Sequence, residues 1–298
     1  MKATIAICTY NRANDLELAI RSGLDQDFDP EAFEIIVVDN RSTDHTAELV
    51  GKFSESHPSQ VRYIYEENLG LSYARNRAMS EARGEYILFL DDDAIASKQW
   101  IKGLLDVFES DPLVGVVGGR IDPIWEGGEP DWLPHEYKTL YTVLDYSDKL
   151  TEMKAPAIPF GANVAFRLSM FKEFKPFRVD LGRVGTNLLS NEESELIGRL
   201  RQKYKVYYTP NAPVKHKIAK DRSTKKWFLR RIYWQGVSDA IRSEKKTNVF
   251  LKSNVKIALA GVGLLFSFFN VRSRVKLMVK ILYGNGAIAG VLRTYKGA

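Results

Sequence analysis

Residues 86–97 read YILFLDDDAIAS. An apolar run fit for a buried strand stops abruptly on Asp91, Asp92 and Asp93. Adjacent carboxylates repel one another, so a core strand that ends on three of them needs a reason. Side chains alternate faces along a strand. Asp91 and Asp93 are therefore expected on one side and Asp92 on the other, if extended geometry persists. In open α/β sheets, ligands bind beyond the carboxyl ends of the strands. Two carboxylates at such an edge suit a hard divalent cation that takes oxygen ligands and bridges phosphates. The plainer alternative is an Asp that caps the next helix. That explains one carboxylate, and Ser97 already offers a cap.

Working outward, the same grammar repeats. ATIAICTY, FEIIVVDN and VRYIYEEN read as strands, and NDLELAIRSGL, STDHTAELVGKF and GLSYARNRAMSEA as helices between them. FEIIVVDN is continuously apolar, as expected of a parallel strand covered on both faces. Asn14 and Glu17 fit a capping-box-like helix start. SKQWIKGLLDVFES and LVGVVGGRI add a helix and a strand. This alternation implies right-handed βαβ crossovers and an open, mostly parallel sheet. From about Pro123 the regularity fails, and DPIWEGGEPDWLP reads as a loop. AIPFGANVAFR and KVYYTP read as late strands, and NEESELIGRLRQKY and TKKWFLRRIYWQGVSDAIRS as late helices.

The chain has 298 residues, one of them a cysteine, Cys8. No intrachain disulfide can form, and a reducing compartment is expected. The N-terminal apolar run is short and lacks a small-residue cleavage site, so it reads as a first strand and not a leader. The net charge of +6 conceals an asymmetry: residues 203–298 hold 21 Lys and Arg against 3 Asp and Glu. The remainder is acidic. A basic final third of this kind implies an anionic partner.

Asp39 ends IIVVDN as Asp91 ends ILFL, so both carboxylates should share one sheet edge. A carboxylate there can accept an N–H from a base or a ribose hydroxyl; a helix cap is the alternative. No G-x-G-x-x-G follows the first strand and no G-x-x-x-x-G-K-[ST] occurs anywhere. Dinucleotide dehydrogenases and P-loop NTPases are thereby disfavoured.

The linked segments IAICTYNRANDLELAIRSGLDQ, EIIVVDNRSTDHT and ENLGLSYARNRAMSEARGEYILFLDDDA resemble a family 2 glycosyltransferase of the GT-A fold, over about the first 120 residues. PFGANVAFR, NEESELIGRL and NAPVKH continue the resemblance more weakly, and WFLRRIYWQGVSDA is similar to members that build bacterial surface polysaccharides. The resemblance implies a Rossmann-like nucleotide-diphospho-sugar transferase sheet flanked by helices. Its donor half would be residues 1–120 and its acceptor half 121–220, followed by a basic, apolar helical region at 221–298. It further implies that Asp39 contacts the donor base and that Thr9, Tyr10 and Arg12 line the nucleotide pocket. Asp91 and Asp93 would form a DxD motif, Asp93 being the direct metal ligand. Asp92 would lie near the ribose or sugar, and Arg75 on the nucleotide side. Glu193 stands where the family has an Asp as catalytic base, with Glu192 as the fallback. Apart from the resemblance, Glu192, Glu193 and Glu195 would read as a favourable acidic helix start. His216 would serve the pyrophosphate or metal, although a lone His is ordinarily a core or surface residue. Gly161 and Asn163 would lie on the acceptor side. Gly118 and Gly119 could let backbone approach the donor sugar or form a tight turn, and Arg120 could meet an anion. Trp125, Trp132 and Trp234 could stack on sugars or pack.

The expected activity is inverting transfer from a nucleoside-diphosphate sugar, UDP-linked, to a saccharide or polyisoprenyl-linked hydroxyl, with Mn²⁺ or Mg²⁺. The rivals are a nucleotidyltransferase, which should carry a glycine-rich basic loop, and a degenerate glycan-binding protein, which should have lost carboxylates. The apolar stretch 257–271 is 15 residues long, short of the roughly 20 that span a bilayer. Flanking Lys252, Lys256, Arg272, Arg274, Lys276 and Lys280 favour docking on an anionic membrane, or a basic subdomain with solvated charges. The expected location is cytoplasmic, peripheral on the membrane's inner face. Nucleic acid is not an expected partner, because no helix-turn-helix, zinc or RNP pattern accompanies the charge.

Overall fold

A computed structural model describes residues 1–265 and 271–296. The chain divides into two compact units, Met1–Val179 with Glu193–Ala219, and Asp180–Glu192 with Lys220–Ala298.

The first unit is a nine-stranded mixed sheet with helices on its faces. Its strands are β1 (Ala3–Thr9), β2 (Phe33–Asp39), β3 (Val61–Tyr65), β4 (Tyr86–Leu90), β5 (Ala94–Ala96), β6 (Val114–Trp125), β7 (Thr151–Glu152), β8 (Asn163–Arg167) and β9 (Lys205–Ile218). Their order is β3-β2-β1-β4-β8-β6-β9-β5, with β7 on β9. The first four are parallel. Crossover helices α1 (Ala13–Leu24), α2 (Thr46–Ser56) and α3 (Leu71–Glu81) join them; α4 (Trp100–Ser110) and α5 (Glu192–Leu200) follow. Every residue of β2 is buried, as the unbroken apolar run requires. The charge inside that run, Glu34 near its start, is met by Arg62 Nε at 2.8 Å, the Thr4 hydroxyl at 2.9 Å and the Arg83 N–H at 2.8 Å; Asp39 closes it. A buried carboxylate is tolerated on such terms.

Two features set the rim of the sheet. Thr9 pairs with Asp39 and Asp39 with Tyr65, so three strands end flush. β4 ends at Leu90, and Ala94 N donates to Asp91 O at 3.0 Å, closing a turn over the aspartates. Extended geometry therefore does not persist through the acidic run, and strict alternation does not govern it.

Local details depart from expectation for identifiable reasons. The N-cap of α1 is Arg12, without a side-chain cap, and Asn14 lies inside the helix. The Ala13 N–H is instead taken by Asp44 Oδ2 at 3.1 Å, across 31 residues. Similarly, α4 is entered at Gln99 and not at Ser97. β6 runs four residues past Ile121, through Pro123, which lies opposite His216 of β9. Proline is accommodated because β6 pairs with β8 at Val116–Gly118 alone, so among the described residues no strand pairs with Pro123 on that side.

The second unit is helical, with α6 (Lys225–Arg242), α7 (Lys246–Leu265) and α8 (Val271–Lys296). Thr224 caps α6 by accepting from Trp227 N at 3.2 Å. Glycines let α6 and α8 meet backbone to backbone. A Cβ at Gly286 would fall 1.9 Å from Tyr233 O, one at Gly236 2.1 Å from Tyr283 O, and one at Gly290 2.6 Å from Val237 O. The Tyr283 hydroxyl donates to Asp239 Oδ2 at 2.7 Å. Among the described residues, one helical stretch, Arg274–Thr294 of α8, is long and apolar enough to cross a membrane. The apolar sequence 257–271 is divided between the end of α7, residues 266–270, which lie outside the described residues, and Val271, the first residue of α8.

Candidate active site

The rim gathers charge from segments far apart in sequence. Ligand atoms of Asp91, Asp93 and His216 lie within 4.8 Å of one another. Register explains the histidine: His216 of β9 pairs with Ala94 of β5, just past the acidic turn. Its Nε2 is 3.2 Å from Asp93 Oδ1. Its Nδ1 is buried and, among the described residues, has no hydrogen-bond partner. Lys217 N donates to Asp93 O at 2.9 Å, tying the two segments together.

Arg12 lies against this acidic run. Its Nη1 is 2.9 Å from Asp93 Oδ2, its Nε 3.6 Å from Asp92 Oδ1, and its Nη2 2.7 Å from Asp15 Oδ2. Asp15 in turn meets Lys217 Nζ at 2.9 Å. Three carboxylates thus surround the guanidinium, on the same rim as Thr9 and Asp39. Burial pushes Asp91 above the ordinary carboxylate range; Arg75 opposes the shift and Asp93 adds to it. Burial likewise pushes Asp92 up to about 7, with Arg12 opposing and Asp93 adding.

The consequence for stability has a definite sign. A carboxyl whose folded pKa exceeds its unfolded one holds its proton longer in the folded chain. Its contribution is fully present below about pH 4 and is lost as pH rises through about 7. The Asp92→Asn variant is therefore expected to gain stability relative to wild type between pH 5 and pH 8, measured as melting temperature in EDTA. A constant difference across that window contradicts the assignment.

Asp39 sits on the same rim, 2% exposed. Ser42 N donates to Oδ1 at 2.8 Å and the Tyr63 hydroxyl to Oδ2 at 2.7 Å. Thr9 is its buried neighbour on β1, and Tyr10 follows, 37% exposed. Sequence reading missed Tyr63, although it stands two residues before the rim position Tyr65 and so shares a face with it.

The second carboxylate centre is Glu193, on the first turn of α5. Arg75 Nη1 donates to Glu193 Oε1 at 2.9 Å across 118 residues of sequence. The Gly161 N–H donates to the same oxygen at 3.1 Å. Arg75 Nη2 also lies 3.8 Å from Asp91 Oδ1, so one guanidinium touches both carboxylate groups. Its carbon lies 5.7 Å from the Phe89 ring centroid and 5.5 Å from that of Phe177. Asn76 fixes Phe177 there by donating to its carbonyl and accepting its N–H, both at 2.9 Å. Glu192 is buried, 3% exposed, whereas the Glu193 side chain is 15% exposed.

A family model described as Glycosyl transferase family 2 matches residues 4–174, more than half of the chain. The chain belongs to glycosyl transferase family 2. It is a glycosyltransferase. One curated relative, the glucosyl-dolichyl phosphate glucuronosyltransferase of Haloferax volcanii, is 27% identical over 248 residues, 81% of this chain and 77% of the relative. Another, the poly(ribitol-phosphate) β-N-acetylglucosaminyltransferase TarS of Staphylococcus aureus, is 32% identical over 117 residues. That match covers 38% of this chain and 20% of TarS. The solved structure of the mannosyltransferase PcManGT from Pyrobaculum calidifontis, in complex with GDP-Man and Mn²⁺, superposes with a TM-score of 0.65 at 19% identity. It covers 98% of this chain and 87% of that one. TarS residues 1–349 in complex with UDP gives a TM-score of 0.58 at 15% identity, over 99% and 92% of the two chains. At these identities the structures establish the GT-A fold.

In this glycosyltransferase the remaining expected residues fall differently. Gly161 is bound into the Glu193 centre: a Cβ there would lie 1.9 Å from Arg75 Nη2 and 2.5 Å from Glu193 Oε1. Gly161→Ala is expected to lower the turnover number about tenfold or more, since a displaced carboxylate loses alignment. Steady-state kinetics on a variant with wild-type melting behaviour checks this, and an unchanged turnover number contradicts it. Asn163 is not on a substrate surface. It is fully buried, accepts from Trp100 Nε1 at 2.8 Å, and donates to Arg120 O at 2.9 Å and Ala212 O at 2.8 Å. Its amide knits α4, β6 and β9 together. Arg75 meets both Asp91 on the acidic turn and Glu193 on α5. Gly118 and Gly119 lie inside β6, where a Cβ would fall 2.1 Å from Pro159 Cβ and 2.1 Å from Ala212 O respectively. They serve close packing, not a turn. Arg120 pairs with Asp122 at 2.8 Å, and the Trp125 ring packs on Tyr141 at 5.1 Å. Trp234 is covered by the Arg293 guanidinium at 4.9 Å.

Proposed function

We propose that this glycosyltransferase moves a sugar, with inversion, from a UDP-sugar to a hydroxyl of a saccharide or lipid-linked acceptor, using a divalent cation. The observation that carries the reading is the Arg75 guanidinium between Glu193 and Asp91. Arg75 links a metal-type cluster to a second carboxylate, which supports assigning each to one half of a displacement.

Asp91, Asp93 and His216 would hold the cation. Their ligand atoms, within 4.8 Å of one another, form a compact oxygen and nitrogen donor set of the kind a divalent cation takes. Two carboxylates with an imidazole favour Mn²⁺ over Mg²⁺, which prefers oxygen and water. When bound, such an ion neutralises charge that develops on the leaving diphosphate.

The chain's own groups do the rest. Asp39, with one oxygen held by Ser42 and the other by Tyr63, accepts the single imide N–H of uracil. Thr9 and Tyr10 border that base. Arg12 neutralises Asp92 and Asp93 between turnovers. Glu193 takes the acceptor proton as the acceptor oxygen bonds to the anomeric carbon and the carbon–phosphate-oxygen bond breaks. Gly161 and Arg75 aim its carboxylate. The basic helical unit would bring the enzyme to the cytoplasmic face of a membrane, where lipid-linked acceptors reside.

A panel of UDP- and GDP-sugars tests the reading by nucleotide release with Mn²⁺ and with EDTA. Turnover of one or more UDP-sugars that EDTA abolishes is expected, with a product anomer opposite to the donor's. Release insensitive to EDTA, or retention of configuration, overturns it.

A further inference from the structure

From residue 245 to 298 the chain carries ten Lys and Arg and no Asp or Glu. Within the helical unit, α7 turns one face to α8. Ser253 and Ala260 are buried there. A Cβ at Gly284 would meet the Ile257 side chain at 2.6 Å, and one at Gly263 would meet Leu277 at 3.1 Å. The opposite face presents Leu251, Val255, Leu259 and Val262, which are 58, 59, 68 and 56% exposed. Their spacing of four, four and three places them in one stripe. At 1.5 Å per residue the stripe is about 16 Å long. Exposed Lys252 and Lys256 lie along one side of it. A soluble surface does not ordinarily offer four large apolar side chains in a row, so a partner is implied.

We infer that this face of α7 docks on an anionic phospholipid bilayer. The stripe enters the acyl boundary, and Lys252 and Lys256 reach up to the headgroups. The inference deepens the membrane part of the proposed function and rests on it, by naming the surface that makes the contact. Charge complementarity selects lipid over a second copy of the chain. A copy would set this lysine-edged face against its own like, with no carboxylate between residues 245 and 298 to receive it. Nothing in the stripe hydrogen-bonds a sugar, so the ligand is the bilayer itself and not the acceptor.

Co-sedimentation of the full chain with vesicles tests this, using phosphatidylcholine alone and phosphatidylcholine with phosphatidylglycerol. Tight binding is expected only to the anionic vesicles, falling as salt is raised. Lys252→Ala with Lys256→Ala should weaken it about thirtyfold at low salt. Leu251→Asp with Leu259→Asp should weaken it at least about tenfold. Equal melting temperatures show that the variants fold. Vesicle binding requires no donor, so failure of the transfer reading leaves this result standing. Undiminished binding by the Leu251→Asp, Leu259→Asp variant overturns the inference, as does wild type that binds neither vesicle. So does light scattering in which those substitutions only convert a dimer to a monomer.

Discussion

Glu193→Gln is expected to lower the turnover number for transfer by about 10²- to 10⁴-fold, the usual worth of a positioned general base. The donor's KM should be nearly unchanged. Gln keeps the volume and can still accept the Gly161 N–H, so geometry survives while proton affinity is lost. Arg75 remains near Asp91 and between two aromatic rings, which limits the stability cost of removing its Glu193 partner. A fall in turnover number without a change in donor affinity marks an interaction made in the transition state. Glu193→Asp should fall between, because the shortened carboxylate withdraws from Gly161 and Arg75. If Glu193→Gln turns over within a few-fold of wild type, the base lies elsewhere, and Glu192 is the next residue to replace.

Asp93→Asn should weaken Mn²⁺ binding by about a hundredfold or more and carry nucleotide-sugar turnover down with it. Asp93 is 4% exposed and faces both His216 and Arg12. Replacing it removes a charged ligand but leaves Arg12 with Asp92 and Asp15, so the fold is expected to persist. Electron paramagnetic resonance of free Mn²⁺ during titration measures the affinity directly. Wild-type affinity in Asp93→Asn would place the ion outside the Asp91–Asp93–His216 cluster.

The βαβ half of the fold was legible because each strand is an unbroken apolar run that stops on a polar rim residue. Asp39 and Asp91 share an edge for that reason alone. What was not legible depends on register between distant segments. His216 reaches Asp93 because β9 runs antiparallel to β5, a pairing with no local signature. Arg75 reaches from α3 to Glu193 as well as to Asp91, a link that the sequence does not display. Its neighbour Asn76 makes that possible by gripping the backbone of Phe177, 101 residues away. The resemblance of PFGANVAFR implies an acceptor-side place for Asn163, and the structure buries it instead. Its burial comes from bonds to Trp100, Arg120 and Ala212, residues 43 to 63 positions away that no local pattern links to it. Pro123 was expected in a loop, and only the one-sided pairing of β6 shows why it can sit in a strand. The aspartate run directly follows the end of β4 at Leu90, as the break in the apolar pattern implies. The turn closed by Ala94 and Asp91, and not strand alternation, is what sets its geometry.

The central claim is that the acidic turn and His216 bind a nucleotide diphosphate through a divalent cation. Calorimetric titration of UDP into the wild-type enzyme, with Mn²⁺ and again with EDTA, tests it most directly. A single-site isotherm is expected with Mn²⁺, with weaker heat for GDP and no detectable binding once EDTA has removed the metal. UDP binding of equal affinity in EDTA would contradict it, because the buried carboxylates would then face the diphosphate without the charge that makes the site attractive.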